Sequence, residues 1–186
     1  MYPNYVSSEA VPASENLHFS QGFCNEEARD CGAMYPFTRN AVGAMDFGGS
    51  ALNKFYNANN RHGSRRITSD IYALATAVLF QSPVQHFALA PNNLTDAPAY
   101  AIDFMKSVPT RWDEVRFIDG YPGKYIIMAR RSGNTWYIAG VNAMEQPLQK
   151  TITLPMLPGK SSVSLYQNGE MKSVSLSRKQ TIKVEI

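Results

Sequence analysis

The chain has 186 residues, of which 44% are hydrophobic and 18% charged, so it can form one sizeable core or two small ones. Its formal net charge of +3 is small and its basic residues are dispersed, which argues against a nucleic-acid partner. The sequence contains no apolar run of the roughly 18–20 residues that a membrane-spanning helix requires. The first residues, MYPNYVSSEAVPASEN, lack the basic and apolar regions of a signal peptide.

The N-terminal part of the chain combines loops with short structured segments. Residues 1–35 are rich in Pro, Ser, Asn and Glu, which predicts an ordered loop around one short strand. Met34–Gly49 is apolar with turn residues at its end, and this pattern predicts a buried strand leading into a loop.

A helix is predicted to follow Thr68 or Ser69, either of which can cap its first turn. Asp70 suits the positive end of the helix dipole, and Pro83 ends the run. Between the N-cap and Pro83, apolar residues occur on nearly every side of the predicted helix. This helix should therefore be deeply buried.

A second helix is predicted after Asp96, which is a plausible N-cap. Pro98 lies in its first turn and Pro109 terminates it.

From Asp113 onward the hydrophobic period is two, which predicts strands. Turns are indicated at residues 121–123, at residues 132–134 and at Asn168-Gly169. About seven short strands fit an antiparallel β-sandwich, in which each sheet has one buried and one solvent-exposed face.

Few residues indicate chemistry by themselves. Glu9 and Glu15 are two carboxylates near the start that could act as acid and base or bind a hard cation, although spacing alone favours solvated surface glutamates. His18, His62 and His86 have no spacing typical of a metal site or a triad, and a structural, hydrogen-bonded role is favoured for His86.

The two cysteines, Cys24 and Cys31, have no second Cys or His pair nearby, so they do not resemble a zinc site. A disulfide across a short loop and buried free thiols both remain open. Tyr125, Trp136 and Tyr137 alternate along predicted strands, where core packing explains them better than a sugar-stacking platform.

Several segments resemble glycoside hydrolase family 97, a family of α-glucosidases and α-galactosidases. They are Tyr2–Glu15, Tyr35–Phe47, Leu74–Pro91 and Val108–Asn142, in the family's order. The run PTRWDEVRFIDGYPGKY is the most specific of them.

The resemblance implies an α/β plus all-β architecture. Residues 1–110 would be the C-terminal part of a (β/α)8 barrel, and residues 111–186 an antiparallel β-sandwich domain. Such a barrel typically needs about 250 residues, so the rest of the barrel and an N-terminal domain would be partners of this chain. The resemblance also implies an oligosaccharide substrate and a periplasmic or secreted protein.

Carried over by resemblance, Glu15 corresponds to the family's general acid, and Glu9 and Glu15 correspond to ligands of a calcium ion. A nearby Ca²⁺ lowers a carboxyl pKa, whereas a general acid must hold its proton, so the surroundings of Glu15 have to compensate. Arg39 and Asp46 are weaker candidates for lining the sugar pocket, with a structural ion pair or loop hydrogen bond as the alternative.

The expected function is calcium-dependent hydrolysis of α-glycosidic bonds by acid/base catalysis. The base or nucleophile would lie upstream, so the isolated chain is predicted to be inactive, and the choices between glucoside and galactoside and between inversion and retention stay open. The alternatives are a non-catalytic carbohydrate-binding or scaffolding module and a degenerate homologue. The binding module predicts exposed, coplanar aromatics on one sheet face, whereas the hydrolase predicts those aromatics to be buried.

Overall fold

The computed structural model of the chain describes residues 7–8, 11, 29–47, 50–55, 65–176 and 180–186. The chain divides into two compact units, Met1–Ala143 and Met144–Ile186. The boundary predicted after residue 110 stays a prediction. In the described ranges, no helix has both the length and the apolar character needed to cross a membrane.

The described helices all lie in the first unit. They are α1 (residues 29–34), α2 (Arg39–Val42), α3 (Asp70–Leu79), α4 (Asn93–Asp96) and α5 (Ala99–Ser107).

The strand predicted over Met34–Gly49 is wrong for most of its length. Backbone bonds from Tyr35 N to the Cys31 carbonyl (2.9 Å) and from Thr38 N to the Met34 carbonyl (3.2 Å) continue α1 into turns and then α2. The apolar residues at the start of this segment do not alternate, so no pleated face forms and local bonds prevail. The loop predicted for residues 1–35 is wrong for residues 29–34, which are helical, while residues 1–6, 9–10 and 12–28 lie outside the described residues.

Two parallel pairings connect distant parts of the first unit. Ser8 bridges Met45 in parallel, and β1 (Ser50–Ala51) pairs in parallel with β2 (Phe87–Ala88). Parallel strands need a crossover connection, and here α1 and α2 lie between the first pair and α3 between the second. The chain therefore contains one helical crossover between two short parallel strands, preceded by a helical connection between two residues that form a single parallel bridge.

The helix predicted after Ser69 is confirmed as α3. The Ser69 hydroxyl accepts a hydrogen bond from Tyr72 N at 3.0 Å, which is the predicted N-cap. The helix ends at Leu79, before Pro83. Its residues 73–79 are all buried, so the predicted deep burial is also confirmed.

Tyr72 fastens α3 to α1 at a point where only glycine fits. Its hydroxyl donates to the Arg29 carbonyl at 2.8 Å, and burial raises its pKa well above the ordinary value. A Cβ added at Gly32 would lie 1.9 Å from the Tyr72 hydroxyl oxygen and 2.7 Å from the adjacent ring carbon.

We expect Gly32→Ala to destabilise the protein by about 1–3 kcal/mol through overpacking, with roughly 1 kcal/mol more if the buried hydrogen bond is lost. Denaturant unfolding of the full-length protein measures this loss. Gly159→Ala is the control, because a Cβ there meets nothing within 4 Å. Tyr72→Phe removes the closest clashing atom, so it should recover part of the loss in the double variant; an equal loss in both backgrounds would contradict this explanation.

The predicted second helix begins later than its predicted cap. Asp96 ends α4, where its carboxylate accepts from Asn92 Nδ2 (2.7 Å) and Asn93 Nδ2 (3.2 Å). The residue before a proline avoids helical backbone angles, and Ala97 is extended with ψ of 150°. Pro98 therefore separates α4 from α5 and itself takes the N-cap position.

The three strands predicted after Asp113 are confirmed as β3 (Glu114–Tyr121), β4 (Tyr125–Ser132) and β5 (Thr135–Asn142). They form an antiparallel sheet in the order β3-β4-β5, joined by the two predicted turns. The sheet packs against α3 in a common core that includes Met45, Leu79, Phe80, Ile126 and Val141.

The central strand departs from the expected alternation. Ile126–Arg130 are all buried, because β4 is covered on both faces rather than one. Arg130 donates to the Leu79 carbonyl at 3.0 Å, at the C-terminal end of α3. Burial lowers the pKa of Arg130 to about 10.

The second unit is β-rich. Its strands are β6 (Gln149–Thr153), β7 (Ser162–Gln167), β8 (Glu170–Ser175) and β9 (Thr181–Glu185). β6 pairs with β9 and β7 with β8, both antiparallel. The hairpin predicted at Asn168-Gly169 is confirmed, with φ angles of 52° and 76° that suit its two residues. The sandwich itself stays a prediction.

Candidate active-site region

The carbonyl of Ser8 is a meeting point of three segments of the first unit. Arg39 Nη2 donates to it at 2.8 Å, and the backbone N–H of Asp46 donates to it at 2.9 Å. The same guanidinium also donates to the Ala44 carbonyl (3.0 Å) and the Gly43 carbonyl (3.2 Å). The structure thus brings Arg39 and Asp46 together at the residue that precedes Glu9 in the chain.

Asn40, which the sequence analysis did not single out, links this region to the segment after α3. Its side-chain amide donates to the carbonyls of Gly43 and Gln81, both at 3.3 Å. Its side-chain oxygen accepts from Gln81 N at 3.1 Å, and Met45 N donates to the Gln81 carbonyl at 2.9 Å. No local pattern reveals the bonds between Asn40 and Gln81, because Gln81 lies 41 residues further along the chain.

Asp46 and His86 form a loose surface pair. The Asp46 Oδ1–His86 Nδ1 distance is 3.6 Å, and the two side chains are 41% and 56% exposed. This distance exceeds hydrogen-bond range, and exposed pairs contribute little to stability. His86 is therefore not the hydrogen-bonded structural histidine that the sequence favoured, and the carboxylate of Asp46 is open to solvent or to a ligand.

The two glutamates assigned by resemblance, Glu9 and Glu15, lie outside the described residues. Described residues on either side of Glu9 are anchored: Ser8 through its carbonyl and Val11 through contact with the hydrophobic core. Within the part of the chain that the structure describes, no three His, Cys, Asp or Glu side chains are grouped so as to hold a metal ion.

The ring of Trp136 is covered by cations. The guanidinium carbons of Arg116 and Arg131 lie 5.1 Å and 6.0 Å from its centroid. Both arginines also pair with Glu114, at 2.6 Å and 3.3 Å. Trp136 is therefore occupied by cation–π contacts rather than left open for a sugar ring.

The other two aromatics are also engaged. Tyr137 packs against the core and meets Trp112 edge to face, with ring centroids 5.4 Å apart. The Tyr125 hydroxyl donates to Asp119 Oδ1 at 3.0 Å. All three side chains are only half-buried and contact neighbouring residues. They therefore show neither the full burial that the hydrolase predicts nor the flat, exposed sugar-stacking platform that the binding-module alternative predicts.

Comparison with known proteins adds sequence and fold relationships. Residues 111–185 match the family model described as "Glycosyl-hydrolase 97 C-terminal, oligomerisation". A retaining alpha-galactosidase from Bacteroides thetaiotaomicron is 31% identical over 148 residues, which are 75% of this chain and 21% of that protein.

Several solved structures cover the whole chain. A beta-arabinopyranosidase is 54% identical, with a TM-score of 0.93. A glycoside hydrolase family 97 enzyme from Pseudoalteromonas sp. strain K8, solved in complex with acarbose, is 24% identical with a TM-score of 0.75, which shows a shared fold. In each case this chain spans 30% of the solved chain, so it corresponds to a minor part of these proteins. From the family-model match and these relatives we conclude that the chain belongs to glycoside hydrolase family 97.

Proposed function

We propose that this chain is part of a retaining glycoside hydrolase that cleaves β-L-arabinopyranosides, the pentose counterparts of α-D-galactosides. The observation that carries this proposal is the 54% identity to a beta-arabinopyranosidase across the entire chain. β-L-Arabinopyranose has the ring configuration of α-D-galactopyranose and lacks only its hydroxymethyl group. The beta-arabinopyranosidase and the retaining alpha-galactosidase therefore favour a galacto-type ring over a gluco-type ring.

We further propose that residues 1–110 are the last part of a (β/α)8 barrel. The helical crossover between β1 and β2 and the helical connection between Ser8 and Met45 support this, because a strand–helix–parallel strand unit is the repeat of such a barrel. Barrel active sites are built where the strands end, from the loops that follow them. Ser8 and Met45 form the parallel bridge, and an acidic residue directly follows each of them in the sequence: Glu9 and Asp46. These two positions come where a barrel strand would end, which is where such active sites are built.

In the proposed reaction Glu15 protonates the glycosidic oxygen as the bond to the sugar breaks. A carboxylate from upstream acts as nucleophile, and Glu15 then takes a proton from the water that hydrolyses the covalent intermediate. Glu15 can fill both roles only if its surroundings keep its pKa near the working pH.

Calcium is proposed as the cofactor, with Glu9 and Glu15 among its ligands. Carboxylate oxygens fit this hard cation, which takes 6–8 oxygen ligands, so the remaining ligands must come from elsewhere in the parent protein. When bound, the ion supplies a fixed positive charge at the site. The family resemblance also supports a periplasmic or secreted parent protein.

The test is a comparison of nitrophenyl glycosides with the full-length protein. We expect kcat/KM to be highest for β-L-arabinopyranoside, about 10–200-fold lower for α-D-galactopyranoside, and far lower for α-D-glucopyranoside. The first gap reflects one hydroxymethyl group in a pocket shaped for a pentose; the second reflects an inverted ring hydroxyl whose polar partners lose their hydrogen bond.

Nuclear magnetic resonance of the first-formed product should show retained anomeric configuration. Residues 1–186 alone serve as the control and should not turn over any of the three substrates, since the proposed nucleophile belongs to the upstream part of the barrel. A full-length protein that prefers the glucoside would contradict the substrate assignment. One that is inactive on all three substrates would favour a degenerate homologue.

A further inference from the structure

Arg130 brings a buried positive charge into the core of the first unit. The residue is only 3% exposed, and its Nη2 donates to the Leu79 carbonyl at 3.0 Å. The carbonyl end of α3 carries a partial negative charge, which offsets part of the charge of the guanidinium. No described Asp or Glu forms an ion pair with Arg130, and burial lowers its pKa only to about 10, so it stays charged at neutral pH. A buried charge is costly unless it is paired, so a further negative partner is expected.

Two buried hydrogen-bond donors beside this charge have no acceptor among the described residues. They are the Nε of Arg130 and the indole Nε1 of Trp112. The guanidinium carbon of Arg130 lies 5.9 Å from the ring centroid of Trp112, so the two side chains are neighbours. Buried N–H groups are almost always paired, and a group that accepts from both donors is therefore expected between them.

The chemistry of these two donors favours an anion over a water molecule. Guanidinium and indole N–H groups donate and cannot accept. A water molecule would accept from both, but it would bring two protons that need acceptors of their own and would leave the charge unpaired. An anion accepts from both groups and also neutralises the guanidinium, and hydrogen bonds to an ionised group are about twice as strong as neutral ones.

The burial of the two donors limits the size of the anion. Arg130 Nε and Trp112 Nε1 are closed off from solvent by this chain alone, without any upstream part of the parent protein. A carboxylate side chain from upstream would have to displace packed residues such as Tyr137, whose ring meets that of Trp112 edge to face. A single-atom anion can instead be enclosed as the chain folds.

We propose that Arg130 and Trp112 form a binding site for a small monovalent anion of the halide class, between β4 and the residues that precede β3. Arg130 Nε and Trp112 Nε1 both donate to the ion, which balances the charge of the buried guanidinium. The ion thereby links β4 and the end of α3 to the segment before β3, so its binding stabilises the first unit. This role is separate from the proposed hydrolysis.

The dependence of stability on chloride in the full-length protein tests this site. Sodium gluconate, whose anion is too large to be enclosed, is replaced stepwise by sodium chloride at constant ionic strength. The unfolding temperature should rise with the chloride concentration, as mass action requires for an ion that binds only the folded state. Trp112→Phe removes the indole donor and should need about 10–100-fold more chloride for the same rise, which is the loss expected for one hydrogen bond to a charged group.

Trp136→Phe is the matched control. Trp136 also lies beside two guanidinium groups, those of Arg116 and Arg131, but its indole nitrogen is not a buried donor without a partner. The chloride dependence of this variant should equal that of the wild type.

Crystals of the full-length protein grown in sodium bromide should show an anomalous scattering peak in contact with both Arg130 Nε and Trp112 Nε1. A water molecule or a side-chain carboxylate at that position would overturn the proposal. So would unfolding temperatures that respond to chloride equally in the wild type and in Trp112→Phe. A bromide peak without any effect of chloride on stability would mark an adventitious ion only and would also overturn the proposal.

Discussion

Replacing Glu15 by glutamine in the full-length enzyme is expected to lower kcat by about 10²–10⁴-fold on substrates with poor leaving groups. Glutamine has nearly the same shape but cannot donate a proton to the departing oxygen. An aryl glycoside whose phenolate leaves readily needs less protonation, so its kcat/KM, which reports the first step, should fall much less. Its kcat should still fall, because Glu15 is also the base that activates water in the second step. The ratio of kcat/KM for an alkyl and a nitrophenyl β-L-arabinopyranoside, measured for both proteins, gives this difference.

The comparison needs a variant that changes a glutamate without touching the site. Glu145 is exposed and lies in the second unit, so Glu145→Gln should leave both substrates unaffected. Unfolding temperatures should agree among the three proteins. Full activity of Glu15→Gln on the alkyl glycoside would remove Glu15 from the acid role, and an equal loss on both substrates would indicate a different role, such as metal binding alone.

The C-terminal strands could be predicted because the sequence features that specify them, turn residues and hydrophobic alternation, are local. The turn at Asn168-Gly169 needs positive φ at both positions, and these two residue types allow it. The turns at residues 121–123 and 132–134 each contain a glycine with positive φ, Gly123 and Gly133, and the strands between them follow from period-two patterning. The N-cap of α3 was predictable for the same reason, since Ser69 bonds a residue only three positions away.

The region around Ser8 depends on partners that sequence spacing does not connect. Arg39 and Asp46 were named from the family resemblance, but the local pattern does not show that both bind one carbonyl 31 or more residues earlier. Asn40 was missed because Gln81, its partner, lies on the other side of α3 in the sequence. Local patterns therefore predicted individual elements here, while the packing between them decided which side chains meet.

Replacing Arg66, whose guanidinium is buried, is the second change for which we expect a large effect, here on the stability of the fold. Its side chain is only 4% exposed, and it donates to the carbonyls of Asn53 (3.2 Å), Leu52 (3.4 Å) and Thr68 (2.5 Å) as well as to the carboxylate of Asp70. It thus joins the segment after β1 to the first turn of α3. Arg66→Met keeps much of the buried volume but leaves these acceptors without their donor.

We expect Arg66→Met to destabilise the fold by about 3–5 kcal/mol, because several backbone carbonyls lose their hydrogen-bond donor at once and each unsatisfied group costs about 1–3 kcal/mol. Chemical denaturation of the full-length protein measures the loss, and hydrogen exchange of the amides in α3 and residues 52–54 locates it.

Asp70→Asn separates the two kinds of contact that Arg66 makes. Asp70 is partly exposed, at 22%, and its replacement leaves the carbonyl bonds of Arg66 in place, so the loss should be on the order of 1 kcal/mol. A double-mutant cycle between the two positions then gives the coupling of the ion pair alone. If Arg66→Met lost no more than Asp70→Asn, the three carbonyl bonds would contribute nothing beyond the pair. Because the buried carbonyl bonds are lost only in the arginine variant, we expect it to lose several times more than Asp70→Asn.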